Sequence, residues 1–439
     1  MRNVATIILI LFSLVGLSQD KEISLSLSEA IDLAFQKNTQ ILNSNLDIQY
    51  AKTQVNEVKA QGYPQISANT DISNTFKIPT QIIPGDFIGQ PGTTIPAQFG
   101  VPFNANASVG IRQLLFDGTF FLGLKAASEF VKISELNAKS TATEIKMGII
   151  KAYYMVLIAD KNLIELEKSY VNMLQLQEET KAMYTAGILE KLDVDRITLA
   201  VSNLEININS MKNQAILSKQ LLLNSIGIDV NQKLILTTSL PSEINKDLSL
   251  STFNPDDRIE IQLLNQQQRL NHLDLKRYKV GYMPSIYGNF SYGSSTFASE
   301  DNFSDIGADW YGNGRYGLGL SVPLFDGFYK KSKMNQIKIK IEQTENYKNQ
   351  ALRGVSLEIN QAKINYDDAQ RTLNIQQNNK QLAEYIYHTT AIKFKEGIGS
   401  SFELITSDND LTQSKINYLN ALYSLNIAHI NLEKALGKL

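Results

Sequence analysis

The chain has 439 residues, of which 43% are hydrophobic and 20% are charged, and its formal net charge is −2. A near-neutral chain lacks the basic surface that displaces counterions from phosphates, so we expect no nucleic-acid partner. The chain has 0 Cys and 3 His. Disulfide bonds and thiolate metal sites are therefore excluded, and we expect neither a metal nor a cofactor.

The first 18 residues have the pattern of a secretory signal peptide. Arg2 precedes an apolar run, and the small residues Gly16 and Ser18 predict cleavage after Ser18. A membrane anchor is the alternative, but the run is shorter than the ~20 residues that a spanning helix needs. No later segment approaches that length of apolar sequence. We therefore expect an exported chain that is soluble, peripheral or inserted into a membrane as β-strands.

The second half of the sequence repeats the first. The sequence Leu-Phe-Asp-Gly occurs at 115–118 and again at 324–327, and Gly187-Ile188 recurs as Gly397-Ile398. We predict a first repeat at 19–228, a linker at 229–255 and a second repeat at 256–439. The predicted elements of the first repeat are a helix, a β-hairpin at 63–117, a long helix at 118–186 and a helix at 189–226. Those of the second repeat are a helix, a β-hairpin at 284–326, a long helix at 327–396 and a helix at 400–436.

Each repeat contains a helical part without proline. The residues between 118 and 187 and between 327 and 397 are rich in good helix formers. A helix of ~65 residues rises about 100 Å, so only a coiled-coil-like assembly can bury its apolar stripe. The last helix carries two apolar stripes, through Leu404 and through Phe402. Two apolar stripes require two neighbouring helices, one on each flank, and this arrangement favours a ring of helices.

The segments before each Leu-Phe-Asp-Gly sequence alternate between apolar and polar residues. Such alternation in an exported chain indicates barrel strands with one lipid face and one wet face; a soluble sandwich is the alternative. The residues predicted to face lipid are Ile66, Ile72, Val109, Ile111, Phe290, Leu318 and Leu320. The residues predicted to face the lumen are Asn69, Asp71, Ser108, Arg112 and Arg315. Four strands cannot close a barrel, whereas three copies would supply 12.

The hairpin tips have a different composition. Residues 77–102 hold five of the ten prolines, and residues 297–311 are acidic and include Trp310, the only tryptophan. Both segments are predicted to be irregular loops. Trp310 is equally compatible with an interfacial aromatic belt and with a solvent-packed loop.

The sequence carries no convincing catalytic motif. Residues 312–317 fit G-x-G-x-x-G, but they begin an alternating strand rather than joining a strand to a helix. We attribute these glycines to the inner face of a narrow barrel. No H-E-x-x-H or G-x-S-x-G sequence occurs. We therefore predict that the protein is not an enzyme.

Together, the duplicated helices and hairpins, the Leu-Phe-Asp-Gly junctions and the Gly-Ile turns resemble the TolC-type outer-membrane factor family. The resemblance implies a mixed α and transmembrane β fold: a trimeric 12-stranded barrel, four strands per chain, continued by a long periplasmic helical barrel. It implies an exit duct in the outer membrane of a Gram-negative bacterium. The implied partners are two further copies, outer-membrane lipid, a periplasmic adaptor and the inner-membrane pump of an efflux or type I secretion system. The competing hypothesis is a periplasmic coiled-coil scaffold or adaptor with a small soluble β domain.

The resemblance also suggests functional residues at the helical turns. We expect Gly187, Ile188, Gly397 and Ile398 to form turns that an adaptor contacts, although a plain helix stop is the alternative. Glu403 lies where the family has an acidic ring, but Thr406 stands where a second acid is expected. The candidate gate residues are Glu403, Asp193, Asp195 and Arg196. The alternative is that these acids only favour the positive ends of helix dipoles.

Overall fold

The computed structural model describes residues 22–241, 253–298 and 309–439. The predicted signal peptide at 1–18 lies outside the described residues, as do part of the linker and part of the acidic tip. Residues of the chain fall into two compact units, within each of which most contacts between residues are made. We call them the helical unit (Met1–Ile48, Ser134–Leu264 and Tyr347–Leu439) and the sheet unit (Gln49–Ile133 and Asn265–Asn346). Each predicted repeat contributes to both units.

Two helices precede the first strand of the large sheet, where the sequence predicted one. They are α1 (Leu27–Lys37) and α2 (Thr39–Ala60), separated by Asn38 in an extended conformation. The Asn38 backbone N–H donates to Ala34 O, while its side-chain Oδ1 accepts from the Gln40 N–H at 2.9 Å. One asparagine therefore ends the first helix and caps the second.

The remaining long helices follow the proline-free segments. They are α3 (Gly118–Thr185), α4 (Lys191–Ile226), α5 (Ile259–Val280), α6 (Tyr329–Lys395) and α7 (Ser401–Ala435). The helices α3 and α6 have 68 and 67 residues, so each rises about 100 Å. The predicted stripe through Leu404 on α7 becomes a buried seam, and α4 carries an equivalent seam, whereas Phe402, which starts the second predicted stripe of α7, is exposed. Buried members of the two seams are Ile197, Val201, Leu204, Ile208, Ala215, Leu222, Leu404, Leu411, Ala421, Leu425 and Leu432.

The core of the helical unit surrounds Tyr153, which is fully buried in α3. Its hydroxyl donates to Leu25 O at 2.9 Å and accepts from the Thr238 N–H at 3.1 Å. These two residues flank a parallel pair of short strands, β1 (Ile23–Leu25) and β6 (Leu234–Leu236). The sequence did not predict this pair, because three-residue strands are too short to show a period.

The sheet unit contains one four-stranded antiparallel sheet. Its strands are β2 (Gln65–Asn74), β5 (Phe103–Phe116), β7 (Ser285–Ala298) and β8 (Tyr311–Ser321), paired in that order. The alternation before the second Leu-Phe-Asp-Gly sequence continues through Val322 and Leu324 and predicts strand there, but this prediction was wrong, because β8 ends at Ser321. Pro323 follows and has no N–H to offer a ladder. On β5, the register shifts between Leu114 and Phe116, so Leu115 leaves the predicted alternation.

The tip between β2 and β5 is more regular than predicted. Its residues form an antiparallel hairpin of β3 (Thr80–Pro84) and β4 (Thr94–Gln98), joined through a short 3₁₀ helix. The expectation of an irregular loop over 77–102 was therefore wrong for these residues. At the second tip, Phe297 and Tyr311 belong to β7 and β8, whereas the intervening 299–308 lie outside the described residues.

Candidate functional site

The register of the sheet places the predicted lipid-facing residues on one face. Ile66 lies opposite Ile111, which lies opposite Phe290. Directly paired residues share a face and every second residue returns to it, so Ile72, Val109, Leu318 and Leu320 belong to the same set. Leu318 keeps 78% of its surface exposed within the chain. This apolar face therefore has no cover from the chain's own described residues.

The opposite face is polar. It carries all five residues predicted to face the lumen, Asn69, Asp71, Ser108, Arg112 and Arg315, as the pairing of the four strands requires. The Arg112 guanidinium lies 4.4 Å from the centre of the Tyr287 ring, and Ser295 donates to Asn106 at 2.5 Å. Arginine stacking and side-chain hydrogen bonds suit a hydrated surface.

Two glycines of the G-x-G-x-x-G segment lie on the apolar face, contrary to our attribution of these glycines to an inner face. Gly312 and Gly314 share that face with Tyr292; Gly314 pairs directly with Tyr292, and Gly312 pairs with Ser294. A Cβ on Gly314 would lie 3.3 Å from the Tyr292 ring, and one on Gly312 would lie 3.5 Å from its hydroxyl. These glycines therefore give the tyrosine ring room to lie flat on the sheet.

The two Gly-Ile turns have the same geometry. Gly187 has φ +76° and Gly397 has φ +75°, a region that glycine enters without steric cost. The N–H groups of the following residues, Ile188 and Ile398, donate to Met183 O and Lys393 O at 2.9 and 3.0 Å. This hydrogen-bond pattern closes a helix at a left-handed glycine. Both isoleucine side chains remain exposed, by 71% and 77%.

The candidate gate acids occupy equivalent positions in the two repeats but make different contacts. Asp193, in the first turn of α4, accepts a hydrogen bond from the buried Ser401 hydroxyl at 2.6 Å. Glu403 is exposed and completes a capping box with Ser400, whose hydroxyl accepts from the Glu403 N–H at 3.2 Å. Asp193 therefore joins the starts of α4 and α7, whereas Glu403 stabilises the start of its own helix.

The other two gate candidates lie one turn further along α4. Arg196 has its guanidinium carbon 5.7 Å from the centre of the Phe402 ring, a contact that again connects α4 with α7. Asp195 is exposed. The structure brings Asp193 and Arg196 to residues of α7, and it brings neither of them to Glu403.

Sequence analysis did not single out Asp408, a buried carboxyl between α3 and α7. Asp408 is 1% exposed and accepts a hydrogen bond from Ser169 at 2.5 Å. Burial raises the pKa of the Asp408 carboxyl, and the Ser169 hydrogen bond and the Lys415 charge oppose this shift. The available signal was its position, because Asp408 interrupts an apolar stripe between Leu404 and Leu411.

Within the described ranges, no three His, Asp or Glu side chains lie close enough together to bind a metal ion. Over the same residues, the helices include no stretch with the length and hydropathy of a membrane span.

A family model of outer membrane efflux proteins matches residues 262–438. Outer membrane protein TolC of Vibrio cholerae serotype O1 is 22% identical over 349 residues, which cover 76% of this chain and 77% of the relative. The second predicted repeat is thus similar to outer membrane efflux proteins. Over about three quarters of its length the chain is also similar to an outer membrane protein of the TolC type.

Solved structures share the fold of this chain. The outer membrane protein VceC of Vibrio cholerae superposes with a TM-score of 0.72 at 14% identity, covering 94% of this chain and 96% of its own. The MtrE outer membrane channel of Neisseria gonorrhoeae has a TM-score of 0.70 at 14% identity, covering 94% and 88%. These similarities confirm the predicted combination of a β-barrel sheet with long helices. The proteins compared are named as outer membrane proteins or channels, not as enzymes.

Proposed function

We propose that three copies of this chain form a passive exit channel in the outer membrane. In this proposal, a 12-stranded barrel spans the membrane and the long helices form a tunnel in the periplasm. The channel works with a periplasmic adaptor and an inner-membrane pump in efflux or type I secretion. The observation that supports this proposal best is the sheet, with one uncovered apolar face and one polar face.

The edges of the sheet support an assembly of several copies. In the described sheet, β2 and β8 are the outermost strands, so each presents a row of backbone groups without a partner in the sheet. Unpaired backbone groups are too costly in hydrocarbon, where no water is available to bond them. Pairing β2 of one copy with β8 of the next satisfies these groups. Three copies then close a barrel of the usual size.

Extraction from the outer membrane tests the assembly. We expect a trimer that resists SDS at room temperature and migrates as a monomer only after boiling. A chain that is released with soluble periplasmic proteins and never forms an SDS-resistant species would overturn the channel and favour the scaffold or adaptor hypothesis.

The helical turns at Gly187 and Gly397 are proposed to contact the adaptor. Ile188 and Ile398 support this assignment, because each presents an exposed apolar side chain beside a rigid glycine turn. Photocrosslinkers at Ile188 and Ile398 should capture a periplasmic protein, whereas a crosslinker at Phe87 in the hairpin tip should not. Capture from Phe87 alone would reverse the orientation.

The acids near these turns are proposed to form the pore gate. Three copies of a carboxylate at a narrow mouth repel each other and attract cations. In this proposal, the Asp193–Ser401 hydrogen bond holds the starts of α4 and α7 together, and Glu403 supplies the acidic ring. Single-channel recordings should show lower cation selectivity in Glu403→Gln and higher conductance in Asp193→Asn. Unchanged conductance and selectivity in both variants, as expected for the control Glu205→Gln on α4, would remove these residues from the gate.

A further inference from the structure

An apolar segment joins the last strand of the sheet to the helix α6. Five large side chains between Ser321 and Lys330 are exposed, including Leu324 at 93% and Phe325 at 76%; the others are Val322, Phe328 and Tyr329. A water-soluble junction does not need this much exposed apolar surface. The segment therefore requires cover from outside the chain.

Three lysines lie directly after this segment, each against an aromatic ring. The Nζ of Lys330 lies 4.9 Å from the centre of the Tyr282 ring. The corresponding distances are 5.7 Å from Lys331 to Phe328 and 5.8 Å from Lys333 to Tyr329. Paired aromatic and basic side chains are typical of the boundary between membrane and water, where the ring enters the lipid and the ammonium reaches the headgroups.

The charges of the three lysines are not equivalent. Lys330 is neutralised by Asp326, whose carboxylate lies 3.0 Å from its Nζ. Lys331 and Lys333 have no ion-pair partner among the described residues, and Lys333 makes a 3.4 Å hydrogen bond to the neutral Gln336. Two uncompensated positive charges thus lie on the first turns of α6, a helix end that itself favours anions.

A cavity of about 370 Å³ opens beside these charges. Most of its lining residues are apolar or aromatic: Tyr282, Pro323, Leu324, Phe325, Phe328 and Met334. The ion-paired Asp326 and Lys330 also line it, as does Lys331, which adds a net positive charge. An apolar cavity with a cationic border matches a molecule that has a hydrocarbon chain and an anionic head.

The corresponding junction of the first repeat lacks this combination. The residues after Gly118 include Phe120 and Phe121, but the first lysine is Lys125. Phe120 also packs against Gly62, where a Cβ would approach its ring to 2.7 Å. Since the fold makes the same strand-to-helix connection there without lysines, the basic group at 330–333 is not required by the connection.

We propose that the junction at 322–334 binds an anionic phospholipid of the inner leaflet of the outer membrane. The phosphodiester lies between Lys331 and Lys333, and an acyl chain enters the cavity. This proposal rests on the barrel placement proposed above, which puts the helix-side end of β8 at the periplasmic boundary of the membrane. Basic groups at a membrane surface attract anionic lipids in this way.

Native mass spectrometry of the full-length trimer tests the site. Wild type, the double variant Lys331→Gln/Lys333→Gln and the control Lys338→Gln/Lys340→Gln on the same helix are titrated with dioleoyl phosphatidylglycerol. We expect apparent affinity to fall at least fivefold in the double variant only. The variant Lys331→Arg/Lys333→Arg should retain binding. Dioleoyl phosphatidylcholine should bind weakly to all four proteins.

Three outcomes would overturn the lipid site. The first is equal phosphatidylglycerol binding by wild type and the double variant, and the second is displacement of the lipid by equimolar inorganic phosphate. The third is the absence of a lipid adduct on the wild-type trimer, which is expected if a neighbouring copy covers the junction. Heat-modifiable migration is recorded for the same samples. A heat-modifiable trimer without a selective lipid adduct rejects only this inference, whereas absence of the trimer rejects the channel itself.

Discussion

The core around Tyr153 in the helical unit and the apolar face of the sheet unit differ in how their apolar side chains are covered. In the helical unit, Tyr153, Ile149 and Ile226 are completely buried by other residues of the same chain. In the sheet unit, the apolar face remains open, and Leu318 is largely exposed. Both units are built from the same duplicated sequence. The core around Tyr153 is therefore completed within one chain, whereas the apolar face of the sheet is not; in our proposal, lipid covers that face and further copies pair with its edges.

The largest effect is expected where the sheet meets lipid. Val109 and Ser108 are consecutive residues near the middle of β5 and point to opposite faces. Val109→Arg places a charge in hydrocarbon and should cost roughly 2–4 kcal/mol, whereas Ser108→Arg on the polar face should cost much less. The yield of SDS-resistant trimer measures this difference. Equal yields from both variants would show that the apolar face does not contact lipid.

The next effect tests the self-contained core of the helical unit. Tyr153→Phe removes the hydroxyl that joins Leu25 O and the Thr238 N–H, and should cost about 1–3 kcal/mol because both backbone groups lose a partner. The neighbouring Tyr154→Phe is the control, since no hydrogen bond of its hydroxyl is found within the described residues. Denaturant unfolding compares the two variants. A Tyr153→Phe variant as stable as the control would contradict the role of the hydroxyl.

A smaller effect is expected from Asp408, a buried carboxyl elsewhere in the helical unit. Its raised pKa means that, above the unfolded value of about 4, the folded chain keeps a proton that the unfolded chain has lost. Wild-type stability should therefore fall as pH rises from 4 towards the folded pKa, by at most about 1.4 kcal/mol per pH unit. The groups that face this carboxyl are Ser169 and Asn172 on α3, Tyr387 on α6 and Lys415 on α7.

Asp408→Asn removes this titration. Its melting temperature relative to wild type should increase between pH 4 and pH 8, while the exposed control Asp410→Asn should show no such trend. A difference that stays constant or decreases with pH would contradict a protonated Asp408 in the folded chain.

The smallest effect concerns the two helix starts at the tips. The helix α7 begins with a complete capping box at Ser400, whereas α4 begins at Glu190, whose side chain makes no capping bond. Ser400→Ala should therefore cost about 1 kcal/mol and Glu190→Ala close to nothing. Amide hydrogen exchange in the first turns of α4 and α7 measures the local change. Similar exchange rates for the two variants would show that the capping box contributes little.

The sequence by itself determined the long helices and the faces of the sheet. Proline-free segments of helix formers define α3 and α6, and the period of two along β5 is enough to separate Val109 from Ser108. Both signals are local, because each element repeats its pattern along many residues. The left-handed turns at Gly187 and Gly397 were equally predictable from the residue type that such a backbone favours.

Only the tertiary structure decided contacts between segments that are distant in the chain. The sequence carries no periodic signal for the pairing of β1 with β6, because each strand has three residues. The hydrogen bonds of Tyr153 to the two segments are equally invisible in the sequence. Asp193 and Glu403 occupy equivalent positions, yet only Asp193 meets Ser401, since that contact depends on how α4 packs against α7. The burial of Asp408 likewise requires Ser169 from another helix. The periodicity of a helix or strand is visible in its own sequence, whereas the partners of each side chain depend on how distant segments of the chain pack together.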